Sequence, residues 1–424
     1  MSTNLTVALF PAGDLFEDFY DKIGVSLDQF REEQTGGWLF NLIEALQAQG
    51  IQTVLFFVSA RVSAAVRFTH AGTGTEVCVL PAPSLHRRVR SAHHRYRPES
   101  KLLSSVASYL ATPIRPLVRE VRRAECGLLL CQEYEHARFD VCVALGRLLG
   151  MPVFATYQGG NRPASALEVP FRKASVRACT GLIVGAQTEI ERLRTSYRIA
   201  PDKLGHIPNT MDVARWHPGN RASARAELRL AGALRVVVWH GRVQIHRKGL
   251  DVLLDAWGRI CDERKPDDLR LLLVGSGRNG AELRRLIHSS SVDNVMWIDR
   301  YVQDRAELWR YLSAADVYTL PSRHEGFPVA PIEAMACGLP VVAADASGVP
   351  DIFEGGEASG GLVVPRGDAA ALAGALGGLL DDISRARELG ERARRRAEEK
   401  FSYEAVGEQL RIFIANRAAL GDER

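Results

Sequence analysis

The chain has 424 residues, 46% hydrophobic and 25% charged, with a formal net charge of +4. That length exceeds one ordinary domain of ~100–200 residues, so two domains are expected, each large enough for its own core. Lys plus Arg (54) nearly balance Asp plus Glu (50), which gives no reason to expect nucleic acid as a partner, and no run of ~18 apolar residues offers a membrane-spanning helix.

The chain opens with the strand-like run Leu5–Phe10, followed by Asp14, Glu17, Asp18 and Asp21. No basic segment leads into a long apolar stretch, so no signal peptide is expected. Further short apolar runs follow at Thr53–Val58, Glu76–Leu80, Gly127–Cys131, Pro152–Thr156 and Gly181–Val184. A second set comprises Arg235–Trp239, Leu269–Val274, Val295–Ile298, Val317–Leu320, Pro340–Ala344 and Gly361–Val364. Runs of this length predict strands buried on both faces. Amphipathic segments between them, such as Trp38–Gln49, Gly249–Asp262 and Ala281–His288, predict covering helices. Two sets of about six strands predict two doubly wound parallel sheets rather than one eight-stranded barrel. The turn formers Pro208, Asn209, Pro218, Gly219 and Asn220 mark a junction within Lys203–Asn220, and an amphipathic helix at roughly Tyr403–Ala418 closes the chain. The expected division is 1–208, 209–400 and a C-terminal segment 401–424. Seven cysteines without a Cys-x-x-Cys pair are expected to be reduced, in a cytoplasmic protein. Leu85–Lys101 concentrates Arg87, Arg88, Arg90, Arg95, Arg97 and Lys101 with three histidines, and is expected to be either a solvated flexible loop or a contact surface.

The stretch Val317–Asp345 carries the most chemistry. It predicts a strand, a loop Ser322–Phe327, a helix opened by Pro328 and Pro331, and the next strand. A helix N-terminus at the carboxyl end of a parallel strand suits a phosphate. Glu325 and Glu333 flank it, and carboxylates accept hydrogen bonds from sugar hydroxyls. The alternatives are a solvated loop residue and a carboxylate that complements the helix dipole. In Trp239–Gly249, Arg242 and Lys248 bracket a loop at a strand end, where two cations would neutralise a diphosphate leaving group; ordinary surface cations are the alternative.

The segment Glu325-Gly326-Phe327-Pro328…Glu333-Ala334-Met335-Ala336-Cys337-Gly338-Leu339-Pro340-Val341-Val342 resembles the E-x7-E segment of retaining glycosyltransferase family 4. Gly241-Arg242 with Lys248-Gly249 resembles that family's diphosphate-binding pair, Ile207–Asp212 its interdomain stretch, and Gly36-Gly37 its N-terminal glycine-rich loop. These pieces occur in the family's order along nearly the whole chain. The resemblance implies a GT-B fold: two Rossmann-like domains facing across a cleft, acceptor on the first, donor on the second, and the last helix crossing back to the first. It implies a retaining, metal-independent transfer of a hexosyl-type sugar from a nucleotide diphosphate, UDP or GDP, to an acceptor hydroxyl on a glycan, lipid or small molecule. Arg242 and Lys248 would contact the diphosphate, Glu333 the ribose, and Glu325 the transferred sugar, so that Glu325, Lys248 and Arg242 carry the chemistry. Gly326, Phe327, Pro328, Val329 and Ala330 would line the donor, Val302 would lie beside the base, and Gly36 and Gly37 would approach the diphosphate.

Two departures stand out. Gln158 occupies a place where the family often has His; glutamine shuttles no proton near neutral pH, so a sugar-hydroxyl contact is expected of it, the alternative being simply a polar residue that ends a strand. Thr210 stands where glycine is common in the interdomain stretch. Glu133, Glu135 and His136, after Gly127–Cys131, are candidates for acceptor contacts, or simply members of a polar loop. Gly275-Ser276-Gly277 with Gly280, and Asp299 further on, imitate a dinucleotide fingerprint, but after the second strand of their set rather than the first; a tight turn is expected. No Asp-x-Asp occurs and the histidines lack metal-ligand spacing, so no metal and no cofactor are expected. The basic Leu85–Lys101 segment would touch an anionic acceptor or membrane headgroups. The rival readings are a sugar-nucleotide epimerase, a glycoside phosphorylase, and a non-catalytic nucleotide-sugar-binding protein.

Overall fold

The computed structural model describes residues 5–32, 37–159, 165–290 and 294–422. The chain forms two compact units, Met1–Pro208 with Val406–Arg424, and Asn209–Ala405.

In the first unit β1 (Thr6–Phe10), β2 (Gln52–Ser59), β3 (Val66–Thr69), β4 (Glu76–Pro81), β5 (Leu128–Cys131), β6 (Val153–Thr156), β7 (Gly181–Val184) and β8 (Leu204–His206) make one sheet. Its order is β3-β4-β2-β1-β5-β6-β7-β8, parallel except for the β3–β4 pair. The sheet has eight strands, where about six were expected. The additional two, β3 and β8, are edge strands; β3 is half exposed throughout and β8 has three residues, so neither shows a buried apolar run.

The continuous apolar character of the central strands follows from burial on both faces. Along β1, Val7 and Leu9 join one core cluster while Ala8 and Phe10 join the other. The final helix, Tyr403–Asp422, is longer than expected. Its Val406, Leu410 and Ile414 lie in the same core as Leu46 and Ile183 of the first unit. Phe413 meets Phe154 edge-on at 6.0 Å, and Arg417 reaches Asp202 at 2.6 Å.

Ser84–Tyr96 is a helix, which corrects the expectation of a loop over Leu85–Lys101. Its inward stripe is built from polar residues, which hid the helical period. His86 is fully buried, with Nδ1 2.7 Å from the Ala107 carbonyl oxygen, and Arg90 donates to Asp18 at 3.0 Å. Arg87, Arg88 and Arg95 stay on the exposed face, beside the exposed Leu85 and Tyr96.

In the second unit β9 (Arg235–His240), β10 (Leu269–Val274), β11 (Val295–Ile298), β12 (Val317–Leu320), β13 (Val341–Ala344) and β14 (Gly361–Val364) form an all-parallel sheet in the order β11-β10-β9-β12-β13-β14. Val236 and Val238 of β9 face one core, Val237 and Trp239 the other. Both units are therefore doubly wound α/β layers of the Rossmann type.

Candidate active site

In the second sheet the chain runs outward in one direction from β9 to β11 and in the other from β12 to β14, so the switch lies between β9 and β12. Helices on opposite faces diverge there and leave a crevice at the carboxyl ends of the two strands, where open α/β sheets bind ligands. The loops after β9 and after β12, with the short helices they lead into, carry Arg242, Lys248, Glu325 and Glu333.

After β9, a single helical turn Ile245–Lys248 leads through Gly249 into the helix Leu250–Glu263, so the loop expected over Trp239–Gly249 is partly helical and Gly249 lies outside the long helix. Gly249 has φ +64°, and a Cβ there would lie 1.9 Å from the Pro321 carbonyl oxygen. Only glycine allows the two loops to touch here. The contact sets the Lys248 Nζ 2.6 Å from Glu325 Oε1. Ser322 Oγ donates to the same oxygen at 2.6 Å.

Arg323, which the sequence did not single out, fastens the two loops. It forks onto Asp251 at 2.7 and 2.8 Å, and donates to the His246 carbonyl at 3.0 Å. Its own N–H donates to the Arg247 carbonyl at 2.9 Å. The guanidinium holds the Asp251 carboxyl below its ordinary pKa, against the opposing effect of burial.

The helix after this loop is Ala330–Ala336, seven residues long, with Pro331 in its first turn. Pro328 precedes the helix rather than opening it. Glu333 accepts from His240 Nε2 at 2.8 Å. His240 ends β9 and is 8% exposed, and among the described residues its buried Nδ1 has no hydrogen-bond partner. Along the chain this residue shows only as a His directly before Gly241-Arg242. The Tyr318 ring packs edge-on against His240. Burial pushes its hydroxyl well above the ordinary range, and the Glu333 and Glu325 carboxylates add to the effect.

Arg242 is exposed and makes no ion pair among the described residues. Tyr301 lies within electrostatic reach of both Arg242 and Glu333, and Val302 beside it packs on the core. Phe327 turns its ring into the core while its carbonyl accepts from Asn209 Nδ2 at 2.8 Å. Gly326 lies against Gly348, where a Cβ would come within 2.3 Å of the Gly326 oxygen. Thr210 needs no left-handed backbone; its hydroxyl donates to the Phe401 carbonyl at 3.0 Å.

Gly275 and Gly277 serve loop packing. A Cβ on Gly275 would sit 2.0 Å from the Gly241 oxygen, and one on Gly277 2.3 Å from the Val243 oxygen. The glycines let this turn close on the loop that bears Arg242. Asp299 is paired with Arg284 at 2.7 Å. Among the described residues no group of three His, Cys, Asp or Glu side chains is placed to hold a metal ion.

In the first unit the strand order switches between β1 and β5, which places Gln132–His136 at the corresponding point. Glu133 is buried, and its carboxylate accepts from the Gln158 N–H at 3.0 Å and the Glu135 N–H at 3.2 Å. It thus ties the loops after β5 and β6 together. Glu135 pairs with Arg192 at 2.6 Å; burial nevertheless pushes its carboxyl up to about 7, against the lowering effect of Arg192. His136 precedes the helix Ala137–Leu149, and burial holds its pKa below the ordinary value. Gly37 begins the helix Gly37–Gln47 with φ +74°; Gly36 lies outside the described residues.

Residues 234–382 match the family described as glycosyl transferases group 1. These residues are thus similar to a group 1 glycosyltransferase domain. The glycosyltransferase domain holds every cation and carboxylate of the β9–β12 crevice described above. The chain is 32% identical over 235 residues to a GDP-mannose-dependent monoacylated alpha-(1-6)-phosphatidylinositol monomannoside mannosyltransferase of Corynebacterium glutamicum, covering 53% of this chain and 59% of that protein. It is 33% identical over 278 residues to a D-inositol 3-phosphate glycosyltransferase of Kineococcus radiotolerans, covering 61% of this chain and 63% of that protein. The matched region thus spans less than two thirds of these relatives. A sucrose-phosphate synthase from Thermosynechococcus elongatus superposes with a TM-score of 0.72 at 25% identity, over 98% of this chain and 100% of that one. The two Rossmann-like units have the architecture of the GT-B fold class.

Proposed function

We propose that this chain is a retaining hexosyltransferase that moves a sugar from a UDP- or GDP-sugar to an acceptor hydroxyl without a metal ion. The observation that carries the reading is the Lys248–Glu325 pair at the switch point, 2.6 Å apart and shielded from solvent. Lys248 and the exposed Arg242 neutralise the departing diphosphate, and fixed charges of this kind each supply a few kcal/mol. Glu325, held by Ser322 and Lys248, accepts from hydroxyls of the transferred sugar. Glu333 accepts from the ribose, the backbone of Gly326, Phe327, Pro328, Val329 and Ala330 lines the donor, and Val302 flanks the base. The one named donor among the relatives described above is GDP-mannose, which favours GDP over UDP.

The proposed contacts for a hydroxyl-bearing acceptor are Gln158, Glu133 and His136 of the first domain. Among the described residues no helix is long and apolar enough to cross a membrane, and all seven cysteines are free thiols, which suits a cytoplasmic enzyme. The exposed face of Ser84–Tyr96 would meet anionic headgroups or an anionic acceptor.

A thermal-shift screen against UDP-, GDP-, ADP- and dTDP-sugars in EDTA tests the donor site. A ligand at ~100 times its Kd stabilises the fold by ~2.7 kcal/mol. One nucleotide family is expected to shift the wild type, and Arg242→Ala to lose that shift. No shift with any nucleotide overturns the reading. Turnover without an acceptor would instead identify an epimerase, and a requirement for phosphate a phosphorylase. A donor that binds but is never consumed, whatever acceptor is offered, would mark a binding protein.

A further inference from the structure

We infer that His240 is the positioning residue that makes the nucleotide site selective for ribose over 2′-deoxyribose. The inference rests on the proposed role of Glu333 as the ribose acceptor and adds a residue to it. His240 Nε2 lies 2.8 Å from Glu333 Oε2, and the imidazole is 8% exposed at the end of β9. Its orientation is fixed on two sides. The Tyr318 ring packs against it at 5.4 Å between centroids, and its backbone is locked into the sheet against Val274.

A carboxylate that receives two vicinal hydroxyls must present both oxygens in one plane. A glutamate in the first turns of a short helix rotates about three side-chain torsions, and nothing else described in the site ties it down. The Nε2–H of His240 engages Oε2 and stops that rotation, leaving Oε1 and the second lone pair of Oε2 for the ligand. With Nε2 donating, the buried Nδ1 has no partner among the described residues. An unsatisfied buried ring nitrogen is costly, which leaves the contact of Nε2 with Glu333 as the hydrogen bond that holds the ring. The nearby Lys248–Glu325 pair is separately fastened by Ser322, so the loss of His240 leaves the diphosphate end in place.

The test measures Kd by calorimetry for GDP, UDP, 2′-deoxy-GDP and 2′-deoxy-UDP on wild type, Glu333→Ala, His240→Leu, His240→Gln and His240→Asn. The glutamine amide reaches the position of Nε2, and the asparagine amide only that of Nδ1. Wild type is expected to prefer the ribonucleotide about tenfold, the scale of one hydrogen bond to a charged group. Glu333→Ala and His240→Leu bring the ratio near one, His240→Gln restores most of it, and His240→Asn does not. If His240→Leu fails to fold, the glutamine–asparagine contrast decides alone. A wild type without ribose preference overturns the role of Glu333 and the inference with it. A preference lost in Glu333→Ala but kept in the folded His240→Leu and His240→Asn variants overturns the inference and leaves Glu333 standing.

Discussion

Lys248 Nζ and Ser322 Oγ converge on one oxygen of Glu325, each at 2.6 Å. The three side chains act as a unit, and losses within a unit do not add. Lys248→Ala and Glu325→Ala are each expected to lower turnover at least ~100-fold, the scale of losing one transition-state stabiliser. The double variant should fall little further than the worse single one. Steady-state rates on variants with wild-type circular dichroism check this; near-wild-type turnover in either single variant would overturn both assignments.

Gly249→Ala is expected to destabilise the second domain by more than about 2 kcal/mol. The left-handed backbone alone costs a non-glycine residue about 1–2 kcal/mol, and the added carbon would meet the Pro321 oxygen at 1.9 Å. Urea denaturation reads the stability. A donor titration on the variant, which must separate the loops that bear Lys248 and Glu325, should show weakened binding as well.

Glu135 sets a pH dependence of stability. Its carboxyl is raised by burial from the ordinary 4.5 to about 7 in the folded chain, against the effect of Arg192. Between those values the folded chain keeps a proton that the unfolded chain releases, so stability falls as pH rises through this window. Glu135→Gln mimics the protonated form. Its Tm should match the wild type near pH 4.5 and exceed it at pH 8; equal curves across the range would show that the ionised form is fully compensated by Arg192.

Neutralising the exposed face of the helix Ser84–Tyr96, as Arg87→Gln with Arg88→Gln and Arg95→Gln, should weaken binding to phosphatidylglycerol vesicles about 100-fold. Each cation near such a surface contributes roughly 1 kcal/mol. Arg90 is left alone because it holds Asp18. Vesicle sedimentation at two salt concentrations measures the effect, and equal partitioning of both proteins would exclude this face as a membrane contact.

Legibility in the sequence followed burial. The central strands announce themselves because both faces are covered, as Val236–Trp239 shows by serving two cores. The edge strands β3 and β8 lack that pressure and left no run to find. The helix Ser84–Tyr96 was hidden because His86 and Arg90 occupy inward positions where apolar residues give the usual signal. Within the site, Arg242, Lys248, Glu325 and Glu333 were visible through spacing along the chain. His240 and Arg323 were not, since what defines them is a partner brought close by the β9–β12 adjacency: Glu333 for one, Asp251 for the other.

The last helix also governs how this protein can be cut. Its Val406, Leu410 and Ile414 belong to the core of residues that precede Pro208. A fragment ending at 208 would therefore carry an unfilled apolar furrow and tend to aggregate. A transplant of donor specificity has natural seams at 208/209 and 405/406. Exchanging only the segment between them keeps the recipient's first and final residues together, so the guest domain enters as an insertion rather than as a tail.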